Sequence, residues 1–316
     1  TRNPADFDLV HLFNFTTVDF TRTLAERAWN AGVPYVVTSL YEDIPTFHNQ
    51  SIEVANALLE YTSRGQDKSW WSTNQVDIDR VSPAPGFASH WTAEHAAAVL
   101  SSGASETSAL LRDYPTARVV ETRFGHEVCE QASPDLFVQQ FSISDFVLCV
   151  GRIESRKNQL MLLKALEDSD IPVVLASGGF TYQPAYDQAV RRFRRRGKTI
   201  IAGQISPEML ASAYRAARVH CLPSWYELPG LVTLEAASHG CNVVASSNGV
   251  ISDYLGDKVF YCDAWNEHSI RNAVLAAYYS PLTPGLKECA KQFTWAETTR
   301  RTFEIYREIA TARADR

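Results

Sequence analysis

The second half of the chain repeats one pattern that limits its possible folds: short apolar runs rich in β-branched residues alternate with helix-like stretches. Six runs follow one another, FVLCV from residue 146, PVVLAS from 172, TIIAG from 199, VHCLP from 219, CNVVAS from 241 and KVFYC from 258. Strands buried on both faces of a parallel sheet have this continuous apolar character, because helices cover both faces. We therefore predict that residues 141–294 form a doubly wound α/β domain.

The first half shows the same alternation less regularly. The runs DLVHLFNF at 8–15 and VPYVVTSL at 33–40 are strand-like, and a helical stretch between them ends at Gly32, a residue suited to a helix C-terminus. The stretches HAAAVLSSG and ARVVETRFG indicate two further strands. Because 316 residues exceed what one core usually supports, we predict a separate domain over residues 1–140, built on this parallel strand–helix–strand unit.

Two segments complete the predicted organisation. The polar stretch HEVCEQASPDLFVQQFSISD, residues 126–145, has the composition of an irregular link. The stretch FTWAETTRRTFEIYREIATAR predicts an amphipathic helix whose apolar residues are Trp295, Phe303, Tyr306 and Ile309. We expect this helix, assigned to residues 295–316, to pack back on the N-terminal domain.

Composition argues against several classes of partner, although local charged patches remain possible. The net charge of −6 and the pI near 5.8 give no general attraction to nucleic acid or to an acidic membrane. The six cysteines are scattered without a C-x-x-C pair, and Cys149, Cys221 and Cys262 lie in or beside apolar runs, which indicates buried free thiols in a reducing cytosol. No transmembrane run or signal peptide is visible, although the chain does not begin with Met. A cytoplasmic protein that binds a small molecule is expected.

One basic run, RRFRRRGK at residues 191–198, modifies this expectation. We predict that it lies on a helix with a solvated basic face. The alternative is peripheral contact with the inner face of an anionic membrane, which we consider weaker because no neighbouring apolar stripe is large enough to insert.

Ligands of open parallel sheets bind beyond the carboxyl ends of the strands, so the loops that leave these strands are the candidate site. The first loop, VGRIESRKNQL, holds Arg152 and Lys157. A guanidinium and an ammonium five residues apart suit a diphosphate, although an exposed basic loop explains them equally well. After the second strand, Gly178 and Gly179 permit close approach of a ligand or only a tight turn.

The third loop, QISPE, precedes a predicted helix capped by Ser206. Gln204 and Ile205 lie just before this cap, where their backbone groups are available to a nucleobase. The helix start explains the loop without any ligand. No strand is followed by a G-x-G-x-x-G pattern, which argues against a dinucleotide oxidoreductase.

The fourth loop, PSWYELPGLVTLE at residues 223–235, holds Glu227 and Glu235. On one continuous helix they would lie roughly 12 Å apart along the axis. Pro229 disfavours a helix that runs through from Glu227, but a helix can begin at Pro229 and place Glu235 in its second turn. Taken alone, each glutamate is more often a surface residue than a ligand contact.

The small Gly230 leaves backbone N–H groups bare at the positive end of this predicted helix, near Leu231 and Val232. Such a position favours an anion. A glutamate on each side of an anion site, with Arg152 and Lys157 on a neighbouring strand end, suggests several contacts along one elongated ligand.

These residues match a family. VGRIESRKNQ, followed by PSWYELPGLVTLEAASHGCNVVAS, resembles the donor-binding half of retaining glycosyltransferases of family 4, also called glycosyltransferase group 1. Glu227 and Glu235 fit that family's pattern of two glutamates separated by seven residues. The resemblance implies the GT-B fold, in which two Rossmann-like domains face each other across a cleft, here an acceptor-side domain at 1–140 and a nucleotide-sugar domain at 141–294.

The resemblance also implies roles for individual residues. Arg152 and Lys157 would contact the diphosphate, Glu227 the hydroxyls of the donor sugar, and Glu235 the ribose. The amides around Gly230, Leu231 and Val232 would hold the distal phosphate, and the base would pack near Gln204 and Ile205.

The implied reaction is metal-independent transfer of a hexose, with retention, from a UDP- or GDP-sugar to a saccharide or lipid-linked saccharide. No cofactor and no nucleic-acid partner are expected. The leaving diphosphate gathers negative charge in the transition state, which the basic residues and the helix N–H groups would stabilise.

The sequence departs from the family in three places. The usual Glu-Gly-Phe-Gly is Glu227-Leu228-Pro229-Gly230, and nothing before Asp8 supplies the usual first strand and glycine-rich loop. Leu40 and Tyr41 occupy the place of a family histidine, and His48 lies too far along the chain to replace it.

Two other functions therefore stay open. One is a nucleotide-sugar-binding protein without transfer activity. The other is a glycoside hydrolase that uses Glu227 and Glu235, which Arg152 and Lys157 disfavour because a hydrolase needs no cationic diphosphate site. The pair Trp70-Trp71 would either stack on sugar rings or belong to a core.

Overall fold

The computed structural model describes residues 3–15, 17–63, 89–179 and 181–314. Two compact units contain these residues, the first with 3–44, 89–126 and 293–314, the second with 45–63 and 127–292. Each contains one wholly parallel sheet covered by helices, so the predicted α/β class is confirmed. The predicted functional domains, with their boundary near residue 140, remain a prediction, because compact units and functional domains need not share bounds.

The sheet of the first unit has four strands in the order β1-β2-β3-β4. The strands are β1 Val10–Phe13, β2 Tyr35–Thr38, β3 Ala98–Ser101 and β4 Val119–Glu121. The accompanying helices are α1 Val18–Asn30, α3 His90–His95, α4 Ala104–Asp113 and α13 Trp295–Ala314. Alternate strand residues face opposite sides, so Tyr35 and Val37 pack in one core while Val36 packs with Ile305 and Ile309 of α13.

The sheet of the second unit has six strands in the order β7-β6-β5-β8-β9-β10. The strands are β5 Val147–Val150, β6 Val173–Ala176, β7 Thr199–Gly203, β8 Val219–Leu222, β9 Asn242–Ser246 and β10 Phe260–Cys262. All six predicted strands are confirmed.

Helices cover both faces of this second sheet. They are α2 Ile44–Thr62, α5 Asp135–Phe141, α6 Gln159–Ala165, α7 Pro184–Arg192, α8 Pro207–Ala216, α9 Leu231–His239, α10 Ile251–Leu255, α11 Glu267–Tyr279 and α12 Leu286–Ala290. Helix α2 comes from the first half of the chain, yet its apolar face, with Ile52, Leu58 and Leu59, lies in the core of the second unit. Its Tyr61 also donates a hydrogen bond to Glu167 at 2.8 Å.

Two local predictions are wrong. The supposed link at 126–145 contains α5, a helix that buries the ring of Phe137 against Phe146. The basic run 191–198 leaves the helix at Arg192. Arg195 then turns inward and donates hydrogen bonds to the carbonyls of Leu166, Ser169 and Ile171, which follow the end of α6.

Of the four apolar residues predicted for the last helix, Ile309 is buried and Tyr306 packs beside it, but Trp295 and Phe303 are not part of the core and Ile305 is buried instead. Ile305 and Ile309 are buried, whereas Trp295 and Phe303 are 40% and 58% exposed. The cysteines agree with the prediction of free thiols, and Cys149, Cys221 and Cys262 are buried.

Within the described residues, no helix is long and apolar enough to span a bilayer. Trp70 and Trp71 lie outside those residues.

Candidate functional site

In the second sheet, the direction in which successive strands are added reverses between β5 and β8. From β5 the chain builds outward through β6 to β7, and from β8 it builds the other way through β9 to β10. Adjacent loops that diverge in this manner leave a crevice at the carboxyl ends of the strands, which is where open α/β sheets bind ligands. The loops that follow Val150 and Leu222 therefore border the candidate site.

The loop after β5 carries Lys157 and is fixed by Asn158. A short 3₁₀ turn ends at Lys157, and Asn158 adopts the left-handed conformation at φ 63°. The buried Asn158 amide donates to the carbonyls of Pro223, at 3.1 Å, and Ala264, at 2.7 Å. These bonds join the loops that leave β5, β8 and β10.

Lys157, from the loop after β5, and Glu227, from the loop after β8, form a nearly buried ion pair. Lys157 Nζ lies 2.5 Å from Glu227 Oε1, and the two side chains are only 14% and 8% exposed. Burial raises the pKa of the Glu227 carboxyl, but the positive charges of Lys157 and Arg156 outweigh it and bring the pKa below its ordinary value. Glu227 is therefore a carboxylate at neutral pH.

The backbone of Glu227 depends on a glycine that sequence analysis did not identify. Gly249 pairs with Glu227 in an isolated parallel bridge, and the amide of Val250 donates to the Glu227 carbonyl at 3.3 Å. Gly249 has φ 102°, and a Cβ there would lie 2.4 Å from the Glu227 carbonyl oxygen. Any side chain at position 249 would displace the glutamate. The Asn-Gly pair after β9 was the sequence signal for this tight turn.

Helix α9 begins at Leu231, two residues after the predicted start at Pro229. Its N-terminal cap is Gly230, at φ 72°, where a Cβ would lie 2.4 Å from the side chain of Ile251. The amides of Leu231 and Val232 belong to the first turn, where a helix offers no acceptor for them. The helix therefore presents N–H groups and positive potential between the two glutamates.

Glu235 lies in the second turn of α9 and is half-buried. Its Oε2 atom accepts a hydrogen bond from the hydroxyl of Tyr214 at 2.9 Å. Burial raises the pKa of Glu235, while the Tyr214 hydrogen bond acts in the opposite direction. The two glutamates thus have different environments, one paired with a cation and the other held by a neutral hydroxyl.

Arg152 extends over the surface of the site. It is 48% exposed, and its guanidinium carbon lies 5.7 Å from the ring centre of Tyr182. Its contact with Glu154, at 3.4 Å, is long. Its exposure and this long contact leave the Arg152 guanidinium available to a ligand.

The second and third loops lie close to each other at Gly179 and Gln204. Gly178 and Gly179 are exposed, neither has a positive φ, and a Cβ on Gly179 would lie 3.5 Å from the side-chain oxygen of Gln204. Gln204 is exposed and Ile205 is partly buried in the core. Ser206 caps α8 as predicted, since its side chain accepts from the amide of Met209 at 3.2 Å.

In the first unit, Tyr41 is buried and hydrogen-bonded through both its side chain and its backbone. Its side chain is buried, its hydroxyl donates to Asp113, and its amide donates to the buried carboxylate of Glu106 at 2.7 Å. Glu106 also accepts from Ser39 and from Ser102, each at 2.6 Å. Tyr41 therefore offers no free base in place of the family histidine. Among the residues that the structure describes, no group of three His, Cys, Asp or Glu side chains is arranged to hold a metal ion.

Comparison with known proteins agrees with this geometry. Residues 138–291 match the family model described as "Glycosyl transferases group 1", which supports a place for the second unit in that family. The O-antigen chain mannosyltransferase B of Escherichia coli is 28% identical over 218 residues, covering 62% of this chain and 56% of that protein. The alpha-maltose-1-phosphate synthase of Mycobacterium tuberculosis is 30% identical over 181 residues, 51% of this chain and 47% of that one. The alignments thus span about half the length of these relatives.

Solved structures show the same fold at low sequence identity. A sucrose-phosphate synthase from Thermosynechococcus elongatus superposes with a TM-score of 0.69 at 18% identity, covering 97% of this chain and 75% of that one. The Anabaena protein HepE, solved with UDP and glucose, has a TM-score of 0.64 at 15% identity, covering 99% and 79%. These similarities establish the fold alone.

Proposed function

We propose that the protein is a retaining glycosyltransferase that moves a hexose-type sugar from a UDP- or GDP-sugar to a saccharide or lipid-linked saccharide acceptor. The proposal rests chiefly on the Lys157–Glu227 pair at the switch point of the second sheet. The match of residues 138–291 to the group 1 family supports it independently. Curated relatives include a mannosyltransferase, which makes a hexose donor the natural first choice.

The diphosphate would lie between Lys157 and the N-terminus of α9. Lys157 has three N–H donors, so it can keep Glu227 and still donate to a phosphate oxygen. The amides of Leu231 and Val232 would bind the phosphate nearer the sugar, and Arg152 would close over the other side. These groups provide positive charge without a metal, so we propose metal-independent transfer.

Glu227 would contact the hydroxyls of the donor sugar rather than act as a base. Its lowered pKa and its cation make it a poor proton acceptor at neutral pH but a good hydrogen-bond acceptor. The leaving diphosphate would gather charge as the glycosidic bond breaks, and the preorganised cations would stabilise that charge most in the transition state. In this scheme the departing phosphate takes the proton of the acceptor hydroxyl.

The Lys157 pairing also bears on the alternative hydrolase. A glycoside hydrolase needs one carboxyl group that stays protonated as an acid beside a second carboxylate. Glu235 has the raised pKa of an acid, but Glu227 is neutralised by a lysine, which suits a phosphate site better than a sugar-cleaving pair. We further propose a cytoplasmic location, with contact to a membrane surface only through a lipid-linked acceptor.

Donor hydrolysis distinguishes an enzyme from a nucleotide-sugar-binding protein. UDP-glucose, UDP-galactose, GDP-mannose and ADP-glucose would each be incubated with the protein, with and without oligosaccharide acceptors, and the released nucleotide measured. We expect one donor to be consumed, faster with an acceptor, and the activity to be lost in Glu227→Ala. Binding of a donor without any release of nucleotide would contradict transfer activity, and release that survives Glu227→Ala would contradict the assigned site.

A further inference from the structure

Tyr214 of helix α8 is fixed in one position by its surroundings. Its side chain is fully buried, its ring stacks on that of His239 with ring centres 5.5 Å apart, and the ring of His220 meets it edge-on with ring centres 6.2 Å apart. Its backbone carbonyl accepts from the Cys241 thiol at 2.9 Å. A tyrosine packed on several sides has little rotameric freedom, so its hydroxyl points to one place.

That place is the Glu235 carboxylate. Tyr214 donates to Oε2 at 2.9 Å, and this is the only hydrogen bond to the carboxylate among the residues that the structure describes. Oε1 is left for a ligand. Glutamate has several rotatable side-chain bonds, so without the tyrosine hydroxyl the half-buried carboxylate would sample several positions at the edge of the crevice.

We infer that Tyr214 is a positioning residue, which aims Glu235 at the 2′,3′-diol of a ribonucleotide and thereby selects ribonucleotides over ligands that lack the diol. The inference rests on the proposed function, because it concerns the nucleoside end of the same site. A carboxylate held at one oxygen offers its remaining lone pairs in a fixed direction, and a vicinal diol offers two matching donors. The N-terminus of α9, which would bind the phosphates, lies one turn earlier on the same helix.

Binding of two ligands that differ only in the diol tests the inference. Isothermal titration calorimetry would measure the dissociation constants of the nucleoside diphosphate that binds the native protein and of its 2′,3′-dideoxy analogue. Tyr214→Phe keeps the ring and removes the hydroxyl. The matched control is Tyr261→Phe, which deletes a hydroxyl bonded to the Gly256 carbonyl at 2.6 Å in the same unit.

In the native protein the dideoxy analogue should bind more weakly than the ribonucleotide. Loss of one positioning hydrogen bond should weaken the ribonucleotide in Tyr214→Phe by about three- to tenfold. The dideoxy analogue should be unaffected, so the preference for the diol shrinks, whereas Tyr261→Phe should leave both constants unchanged.

Two results would overturn the inference. If Tyr214→Phe weakens both ligands equally, the tyrosine has only a structural role. If the native protein binds ribonucleotide and analogue equally, Glu235 does not recognise the diol. Absence of binding by any nucleoside diphosphate to the native protein would instead refute the proposed function, so the two failures are distinguishable.

Discussion

Replacement of Lys157 by methionine should lower the free energy of unfolding, because it leaves the Glu227 charge buried without its partner. Methionine keeps most of the side-chain length but removes the charge. At the observed separation of 2.5 Å two unit charges attract by about 7 kcal/mol at an effective dielectric constant of about 20, and desolvation of both ions offsets most of this. Loss of one partner, however, leaves the other charge buried, which typically costs about 3 to 5 kcal/mol. Arg156 still acts on Glu227, so we expect a cost near the lower value.

Urea denaturation at pH 7, followed by circular dichroism, would measure this cost. The series comprises the native protein, Lys157→Met, Glu227→Gln, the double variant, and Lys198→Met as a control at an exposed lysine of the same unit. The double variant should be more stable than Lys157→Met alone, because the glutamine amide carries no charge to bury. Lys198→Met should change the free energy of unfolding by less than about 0.5 kcal/mol.

The pH dependence gives a second check. The pKa of Glu227 is lower in the folded protein than its ordinary value, so its contribution to stability is present above the ordinary pKa and is lost as pH falls through the folded pKa. The difference between native protein and Lys157→Met should therefore shrink in acid. A cost below about 1 kcal/mol at pH 7, the range of exposed pairs, would refute the description of a buried pair.

Three further predictions concern residues around the pair. Gly249→Ala should lower the free energy of unfolding by more than about 2 kcal/mol in chemical denaturation, because a Cβ there meets the Glu227 carbonyl and the positive φ is strained. The matched Gly240→Ala, also at positive φ but with nothing within 4 Å of the added Cβ, should lower it by less. Equal losses in the two variants would count against the contact. Asn158→Ala removes both hydrogen bonds to buried carbonyls and should lower the free energy of unfolding by about 2 to 4 kcal/mol. A native-like melting temperature of this variant would contradict the prediction. Glu235 has a raised pKa, so its ionisation opposes folding as pH rises through that pKa. Glu235→Gln should therefore raise the stability of the unliganded protein at pH 8 by about 0.5 kcal/mol or more and have less effect at pH 4; destabilisation at pH 8 would contradict this.

The parallel sheet was predictable because its signal is local. Each strand of the second unit is a continuous apolar run, and burial on both faces leaves no other common explanation for that composition. Helix α5 was missed because its one fully buried residue, Phe137, packs against Phe146, which lies outside the helix just before β5. The end of α7 was missed for a similar reason, because Arg195 turns inward to donate hydrogen bonds to carbonyls more than twenty residues earlier in the chain.

In the candidate site, too, residues placed by the order of the strands were predictable, whereas those that act through distant residues were not. Lys157 and Glu227 were expected at one site from the position of their loops after parallel strands, and the structure brings their charged atoms into contact. Asn158, Tyr214 and Gly249 were not identified, because each acts through a residue distant in sequence. The approach of Gly249 to Glu227, for example, follows from the adjacency of the loops after β8 and β9 rather than from any local pattern.

Nucleotide binding tests the central claim most directly. The melting temperature would be measured with UDP, GDP, ADP and their sugars, for the native protein, Lys157→Ala, Glu235→Ala and the Lys198→Met control. We predict that one nucleoside diphosphate and its sugar raise the melting temperature of the native protein and of the control, and that Lys157→Ala and Glu235→Ala lose this rise. If no nucleotide raises the melting temperature of the native protein, or if the rise persists in both alanine variants, the donor site described here is contradicted.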